Sequence, residues 1–405
     1  MSNTGPHRED QFGLLCALAS AKMTAGQIER IANWNFSGLD WNEIIRLAEH
    51  HGVLPLAARN LIENARGLPP EIERTLRSAY ELNLKRGLLF AAELARIIRH
   101  FNHRQEDQWQ ADCRPEDRRP EDRQQFPVVP FKGPMLAQSL YGDSGLRSFS
   151  DLDLLISSAD FEWAKQALAE IGFRPAKEFS PAVERFWLQK GYERSFNGAA
   201  GDNLVELQWA LLPYFYAVDL NLEKLLARSG EAVVGGCQMR CLSAEDSVIV
   251  LSLHAAKHLW GRLIWLIDIA ETLRAGSIDY GLVFSNARSL GIARILSVTF
   301  WLVKNALQAE LPDAAEEMAA SDPAAPVLGQ EFAARLMRAA TYDFESTEYF
   351  RLILKLRERR GDRWRYLWRL FWTPGEGDLA ALRLPEALFP LYRIVRVGRL
   401  MRKPF

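Results

Sequence analysis

Two aspartates one residue apart inside an apolar run, Ser150-Asp151-Leu152-Asp153-Leu154-Leu155-Ile156, constrain this chain more than any other feature. In a β-strand residues i and i+2 share a face, so Asp151 and Asp153 aim together while Leu152 and Leu154 point the other way, into a core. Two carboxylates held that close repel each other unless positive charge lies between them. The usual solution is a divalent cation with oxygen ligands, most often Mg2+. The segment is therefore expected to be a strand with one face buried and the other committed to a cation.

The rest of the chain bounds what surrounds that strand. With 405 residues, 48% of them hydrophobic and 25% charged, there is ample material for a core and for two or three domains. A formal net charge of -1 provides no whole-protein field to draw the chain to nucleic acid or to an acidic substrate. The four cysteines, Cys16, Cys113, Cys237 and Cys241, are too few and too scattered for a disulfide framework. Cys237 and Cys241 lack a second Cys or His pair to complete a zinc site, so free thiols in a reducing compartment are expected. The polar stretch Met1 to Asp10 does not read as a secretory signal, and the most apolar windows are short or broken by Arg262 and Asp268. A cytoplasmic protein is expected.

Four segments follow from periodicity and composition. Residues 1–103 carry apolar residues at three and four spacing and read as an N-terminal helical region, with Asp40 a candidate N-cap and Glu43 three positions on. Residues 104–125, crowded with Gln, Asp, Glu and Arg and containing the tandem pentads 114–118 and 119–123, read as a disordered charged loop. Residues 126–242 alternate strand and helix signals: Phe126 to Phe131 as strand, Pro134 to Tyr141 as helix, then the aspartate strand. A helix from Phe161 to Ile171 closing at Gly172 follows, with strand candidates Phe186 to Phe196 and Leu204 to Trp209. Residues 243–405 are again helical, opened by Ser243 as cap with two acids in the first turn. Their last 55 residues hold 14 Lys or Arg against 5 Asp or Glu, interleaved with Trp364, Trp368, Phe371, Trp372, Phe389 and Tyr392.

The central segment holds what a metal-dependent phosphoryl-type transfer needs. Lys132-Gly133 at a strand-to-helix junction provides a glycine where backbone can approach a phosphate, with a helix N-terminus behind it. Asp151 and Asp153 suit two Mg2+ ions clamping an in-line displacement. Glu206, an acid inside the apolar strand pattern Leu204 to Trp209, is the candidate third carboxylate.

Gly133, followed eighteen positions later by Asp151-Leu152-Asp153-Leu154-Leu155, resembles the DNA polymerase β-type nucleotidyltransferase superfamily. With Lys132, Leu140-Tyr141 and Arg147 before the aspartates, the order is similar to a bacterial branch often associated with polysaccharide or peptide-modification gene clusters. So is the downstream run His254-Ala255-Ala256-Lys257-His258, Trp260, Arg262-Leu263, Trp265-Leu266 and Asp268-Ile269-Ala270. The resemblance implies an α+β fold: a polymerase β-like nucleotidyltransferase domain with a mixed sheet, flanked by helical regions. It implies Asp151, Asp153 and Glu206 as ligands of Mg2+ or Mn2+, with Glu206 also the base. Lys132, Gly133 and Arg147 would meet the phosphates of a nucleoside triphosphate, and Ser144, Ser148 and Ser150 would add hydroxyl donors. Where the wider superfamily has Gly-Ser or Gly-Gly, this chain has Gly133-Pro134, which removes one backbone donor from the phosphate cradle.

Plainer readings stand beside these. The aspartates can belong to a solvated edge strand, Glu206 to a polar surface, and Lys132 to an ordinary salt bridge. His254 and His258 share a helix face, but Ala255 stands where a zinc protease needs glutamate, so packing or lining of the cleft is expected. Lys257 and Asp268 are candidates for substrate contact, with buried pairing the plainer role for Asp268. The basic aromatic C-terminus reads as helices with snorkelling arginines, as a contact for an anionic membrane surface or lipid-linked glycan, or as a nucleic-acid surface, although no strong nucleic-acid signature is present. The expected activity is transfer of a nucleoside monophosphate to an unidentified acceptor hydroxyl or phosphate. The alternative is a non-catalytic accessory protein of the same fold in a biosynthetic or toxin-antitoxin complex.

Overall fold

The computed structural model describes residues 6–112, 127–198, 204–382 and 384–402. The duplicated pentads, Cys113 and Lys403 lie outside them. At the centre is a mixed five-stranded sheet made of β1 (Val129–Pro130), β2 (Asp151–Leu155), β3 (Arg174–Pro175), β4 (Glu193–Asn197) and β5 (Leu204–Gln208). Its strand order is β1-β2-β5-β4-β3. Only β2 and β5 run parallel; the other neighbours are antiparallel. A separate hairpin joins β6 (Gly230–Val234) to β7 (Cys237–Cys241).

Alternation assigns the sheet's two faces. Leu152, Leu154, Val205, Leu207 and Phe196 point to one side. There they form a core with Phe161, Ala164 and Leu168 of the helix Phe161–Glu170 and with Phe90, Leu94, Ile97 and Phe101 of the long helix Pro70–Asp112. The other face carries Asp151, Asp153, Glu206, Gln208 and Glu193. Its Leu155 end is capped by Val250 of the helix Ala244–Lys257. Both faces are therefore covered, one by apolar packing and the other by a helix that brings cations and imidazoles.

The helical regions before and after the sheet share one hydrophobic core. Leu14, Leu18, Leu47, Leu56 and Leu61 from the first pack with Val248, Leu266, Leu296, Phe300 and Tyr349 from the second. Local signals fold as expected at several helix ends. Asp40 accepts the Glu43 backbone N–H and Ser243 accepts that of Asp246, each satisfying a donor the helix would otherwise leave open.

Of the strand expected from Phe126 to Phe131 the structure has only Val129–Pro130, and Phe126 lies outside the described residues; two further stretches differ from expectation. Residues 104–112 continue the long helix rather than opening a loop. Arg104 donates to the Trp163 carbonyl at 2.8 Å and stacks on the Trp163 ring, and that indole donates to Gln108 at 3.2 Å. Tertiary anchoring thus overrides a polar composition. Residues 186–190, read as strand, end the helix Pro181–Lys190, and the strand begins only at Glu193. Ser180 accepting from the Val183 N–H and Pro181 in the first turn start that helix, and Trp187 turns inward from it.

Candidate active site

The loop before β2 is fixed by the long helix. Tyr80 donates to Asp143 at 2.7 Å and Asn83 donates to the Gly145 carbonyl at 2.7 Å. Gly87 permits this approach: a Cβ there would lie 2.2 Å from the Ser144 carbonyl oxygen. Gly133 is needed for a different reason. Its φ of 56° is a conformation that side chains rarely adopt, and a Cβ would meet the Asp151 carbonyl oxygen at 3.1 Å. The helix it opens is short, Pro134–Leu136 followed by a π turn Ala137–Tyr141, so its dipole is small.

On the acidic face, Asp153 lies opposite Glu206 in the β2–β5 register, with Asp151 two residues earlier. Gln208 donates from Nε2 to Asp153 Oδ1 at 2.8 Å and to Glu206 Oε2 at 3.0 Å, clamping the two carboxylates together. Lys132 Nζ lies 2.8 Å from the same Asp153 oxygen. Asp153 Oδ2 is buried without a hydrogen-bond partner. Burial and the charges of Glu193, Asp153 and Asp151 push the Glu206 carboxyl up to about 8. Burial and Asp153 likewise raise Asp151. Burial opposes the charge on Lys132, but the charge and hydrogen bond of Asp153, with Asp151 and Glu206, outweigh it and hold its pKa above the usual value. The face is short of positive charge.

Above it opens a cleft of about 630 Å³. Lys132, Gly133, Ser148, Ser150, Asp151 and Asp153 form its floor. Arg86, Glu49 and His50 come from the N-terminal helices, and His254, His258, Arg262 and Trp265 from the helices after the sheet. Burial, and then the nearby lysines, drive His254 and His258 well below the ordinary imidazole range, so both rings are neutral at physiological pH. They pack on each other and on Trp265, with ring centroids 4.8–5.4 Å apart. A family model described as an uncharacterised nucleotidyltransferase matches residues 37–106 and 122–308, more than half of the chain and most of this site. The chain belongs to that nucleotidyltransferase family. No curated protein and no solved structure matches it.

Within this nucleotidyltransferase-family site, the structure brings Asp151, Asp153, Glu206, Lys132 and Gly133 together, with Ser148 and Ser150 on the floor. Glu206 lies behind the cleft lining, next to Gln208. Arg147 borders the cleft, but its Nε and Nη2 are committed to Asp268 at 2.8–3.2 Å, and Tyr141 donates to the same carboxylate at 2.8 Å. That pair is buried: Arg147 is 5% exposed and Asp268 is fully inaccessible. The expected phosphate contact of Arg147 is therefore replaced, for these two nitrogens, by an internal ion pair, and Asp268 does not line the cleft. Lys257 also stands off the cleft, its ammonium 4.6 Å from the Tyr192 ring centre; burial and then Lys132 lower its pKa against the pull of Glu193 and Glu206. Among the described residues, no three His, Cys, Asp or Glu side chains gather as a self-contained metal cage.

Sequence reasoning missed Gln208, Glu193 and the rim residues Arg86 and Glu49. Gln208 had a signal: it lies two positions after Glu206 on one strand, hence on the same face. The rim had none, because it is assembled from distant helices.

Proposed function

We propose that the protein is a polymerase β-type nucleotidyltransferase that moves a nucleoside monophosphate from a nucleoside triphosphate to an acceptor hydroxyl or phosphate, releasing pyrophosphate. The observation that carries this reading is the register of Asp153 against Glu206 on parallel strands, with Asp151 on the same face at the floor of a basic-rimmed cleft. The residues fit Mg2+ or Mn2+. Asp153 Oδ2 is a buried hard donor without a partner, and four carboxylates face two lysines. Mg2+ characteristically takes one or two protein carboxylates and completes its shell with substrate phosphates and water, so a closed three-residue cage is not required. Asp151 and Asp153 would hold it, with Glu206 beside them. When bound, the ion supplies charge neutralisation and alignment of the phosphates.

The chain's own groups do the rest. Lys132, Arg86 and Arg262 attract the polyphosphate to the floor. Gly133 keeps the backbone low enough for its approach. Trp265 and the two neutral imidazoles offer flat faces for a base without adding charge. Glu206, held protonated by burial and the neighbouring acids while no cation is present, would ionise when a divalent cation neutralises that face, and only then could act as a general base towards an acceptor hydroxyl.

One observation favours a second reading, a binding module without transfer: Lys132 already neutralises Asp153. A transfer assay with labelled nucleoside triphosphates, Mg2+ and Mn2+ separates the two. Transfer or pyrophosphate release that falls at least 100-fold in Asp151→Asn and Asp153→Asn is the expected result, as for removal of a group stabilising transition-state charge. Nucleotide binding with no turnover for any triphosphate would establish the module instead.

A further inference from the structure

The helix Arg360–Trp372 reads Arg-Gly-Asp-Arg-Trp-Arg-Tyr-Leu-Trp-Arg-Leu-Phe-Trp. It buries Asp362, Tyr366 and Leu370, which leaves Trp364, Trp368 and Trp372 at successive i, i+4 positions on the outer face, with Phe371 beside them. Trp364 is 74% exposed and Trp368 66%. Single exposed apolar residues are ordinary, but four aromatic rings on one helix face are not. Trp368 and Trp372, 5.4 Å apart, border a concavity of about 580 Å³ whose rim also carries Lys190, Arg365, Arg369 and Arg393, with no carboxylate in the lining. Asp219 holds Arg369 at 2.6 Å and Arg365 at 3.3 Å from one side, and Arg365 also pairs with the buried Asp362 at 2.7 Å. Lys190 and Arg369 both lie over the Tyr214 ring. Lys190 and Arg393 have no carboxylate partner among the described residues. Next to Arg393 in the chain, Leu391 and Ile394 are also exposed. All but Lys190, Tyr214 and Asp219 lie beyond residue 308, outside the family match.

We propose that this face binds the surface of an anionic phospholipid bilayer. The tryptophans, Phe371, Leu391 and Ile394 enter the interfacial layer, and the four-cation concavity takes the phosphate of a lipid headgroup. Indoles favour the boundary between headgroups and acyl chains, and basic residues at that depth are drawn by anionic lipid. No helix among the described residues is long and apolar enough to cross a membrane, so the contact lies on the surface. Nucleic acid would use the cations and rings but has no use for Leu391 and Ile394. A two-fold contact between copies would set this face, where cations outnumber carboxylates, against itself.

The test is flotation of the full-length protein with vesicles of phosphatidylcholine alone or mixed with phosphatidylglycerol. Partition to the mixed vesicles, weakened by salt and accompanied by a blue shift of tryptophan emission, is expected. Lys190→Ala and Arg393→Ala should each lower the partition coefficient about fivefold, the factor equivalent to ~1 kcal/mol per basic residue near anionic lipid. Trp364→Ser with Trp368→Ser should lower it further, with an unchanged circular dichroism spectrum showing that the fold is intact. No partition at low salt, or partition indifferent to the tryptophan pair, overturns the proposal. A concentration-dependent dimer, or nucleic-acid binding, abolished by the same variants in the absence of vesicle binding also overturns it and assigns the face to that partner.

Discussion

Replacing Glu206 with Gln should stabilise the metal-free protein at alkaline pH, and the charge balance of the acidic face gives the size of the effect. Asp151, Asp153, Glu193 and Glu206 confront Lys132 and Lys257 across a half-buried surface, and the Glu206 carboxyl is pushed from its ordinary 4.5 to about 8, first by burial and then by those acids. The folded state therefore binds this proton more tightly than the unfolded state does. The stabilisation it brings is complete below about pH 4.5, falls by up to about 1.4 kcal/mol per pH unit as pH rises, and is gone above about pH 8. The full shift is equivalent to about 5 kcal/mol, a ceiling, because Asp151 titrates in the same field and shares it. The substituted glutamine cannot ionise and keeps an oxygen for the Gln208 amide. Urea unfolding in EDTA should find E206Q and wild type similar near about pH 4.5, and E206Q more stable by a few kcal/mol near about pH 8.5. Mg2+ added at the higher pH should then stabilise wild type more than E206Q. An E206Q protein no more stable than wild type at the higher pH would refute the account of this face.

Asp268→Asn should cost about 3–5 kcal/mol, because it leaves the buried Arg147 guanidinium uncompensated, while Arg147→Met combined with Asp268→Leu should cost less than either single change in a double-mutant cycle of unfolding free energies. Gly133→Ala should cost about 1–3 kcal/mol in thermal or urea unfolding, since it forces a side chain to positive φ against the Asp151 carbonyl, and should lower activity more than an equally destabilising change remote from the cleft.

What the chain discloses before folding is what depends on near neighbours. The period of two around Asp151 and Asp153, the isolated acid Glu206, the caps Asp40 and Ser243 and the close of a helix near Gly172 are local, and the structure has these elements where local chemistry puts them. Arg147 shows the limit. A cation four residues before the aspartates reads as a phosphate contact, yet its partner is 121 positions away and cannot be read from spacing. The Pro181–Lys190 helix shows a second limit: Phe186 and Trp187 favour strand by type, and it is the cap at Ser180, with Pro181 in the first turn, that starts a helix instead. The Lys132–Asp153 contact required both strands to be placed. Composition misled at residues 104–112, where the anchor is a tryptophan on another helix.

The same distribution of partners bears on whether the sheet is an independent unit. Residues 127–242 contain every strand found among the described residues and all three site carboxylates, but neither the buried partner of Arg147 nor the helix that brings His254 and Lys257 over the acidic face. Excised, they would expose Val129, Leu155, Leu222 and Leu225, which pack on Val250, and would leave Arg147 without Asp268. Losing that lid also removes one of the two cations that oppose four acids, and an unpaired buried charge alone costs several kcal/mol against a typical stability of about 5–15 kcal/mol. The excised segment should therefore lack a cooperative unfolding transition, whereas adding residues 243–275 in trans should restore part of it if these contacts are what closes the sheet. A segment that unfolds cooperatively alone, with full-length-like stability, would mean that the sheet's own apolar face suffices and that the helices serve only the cleft.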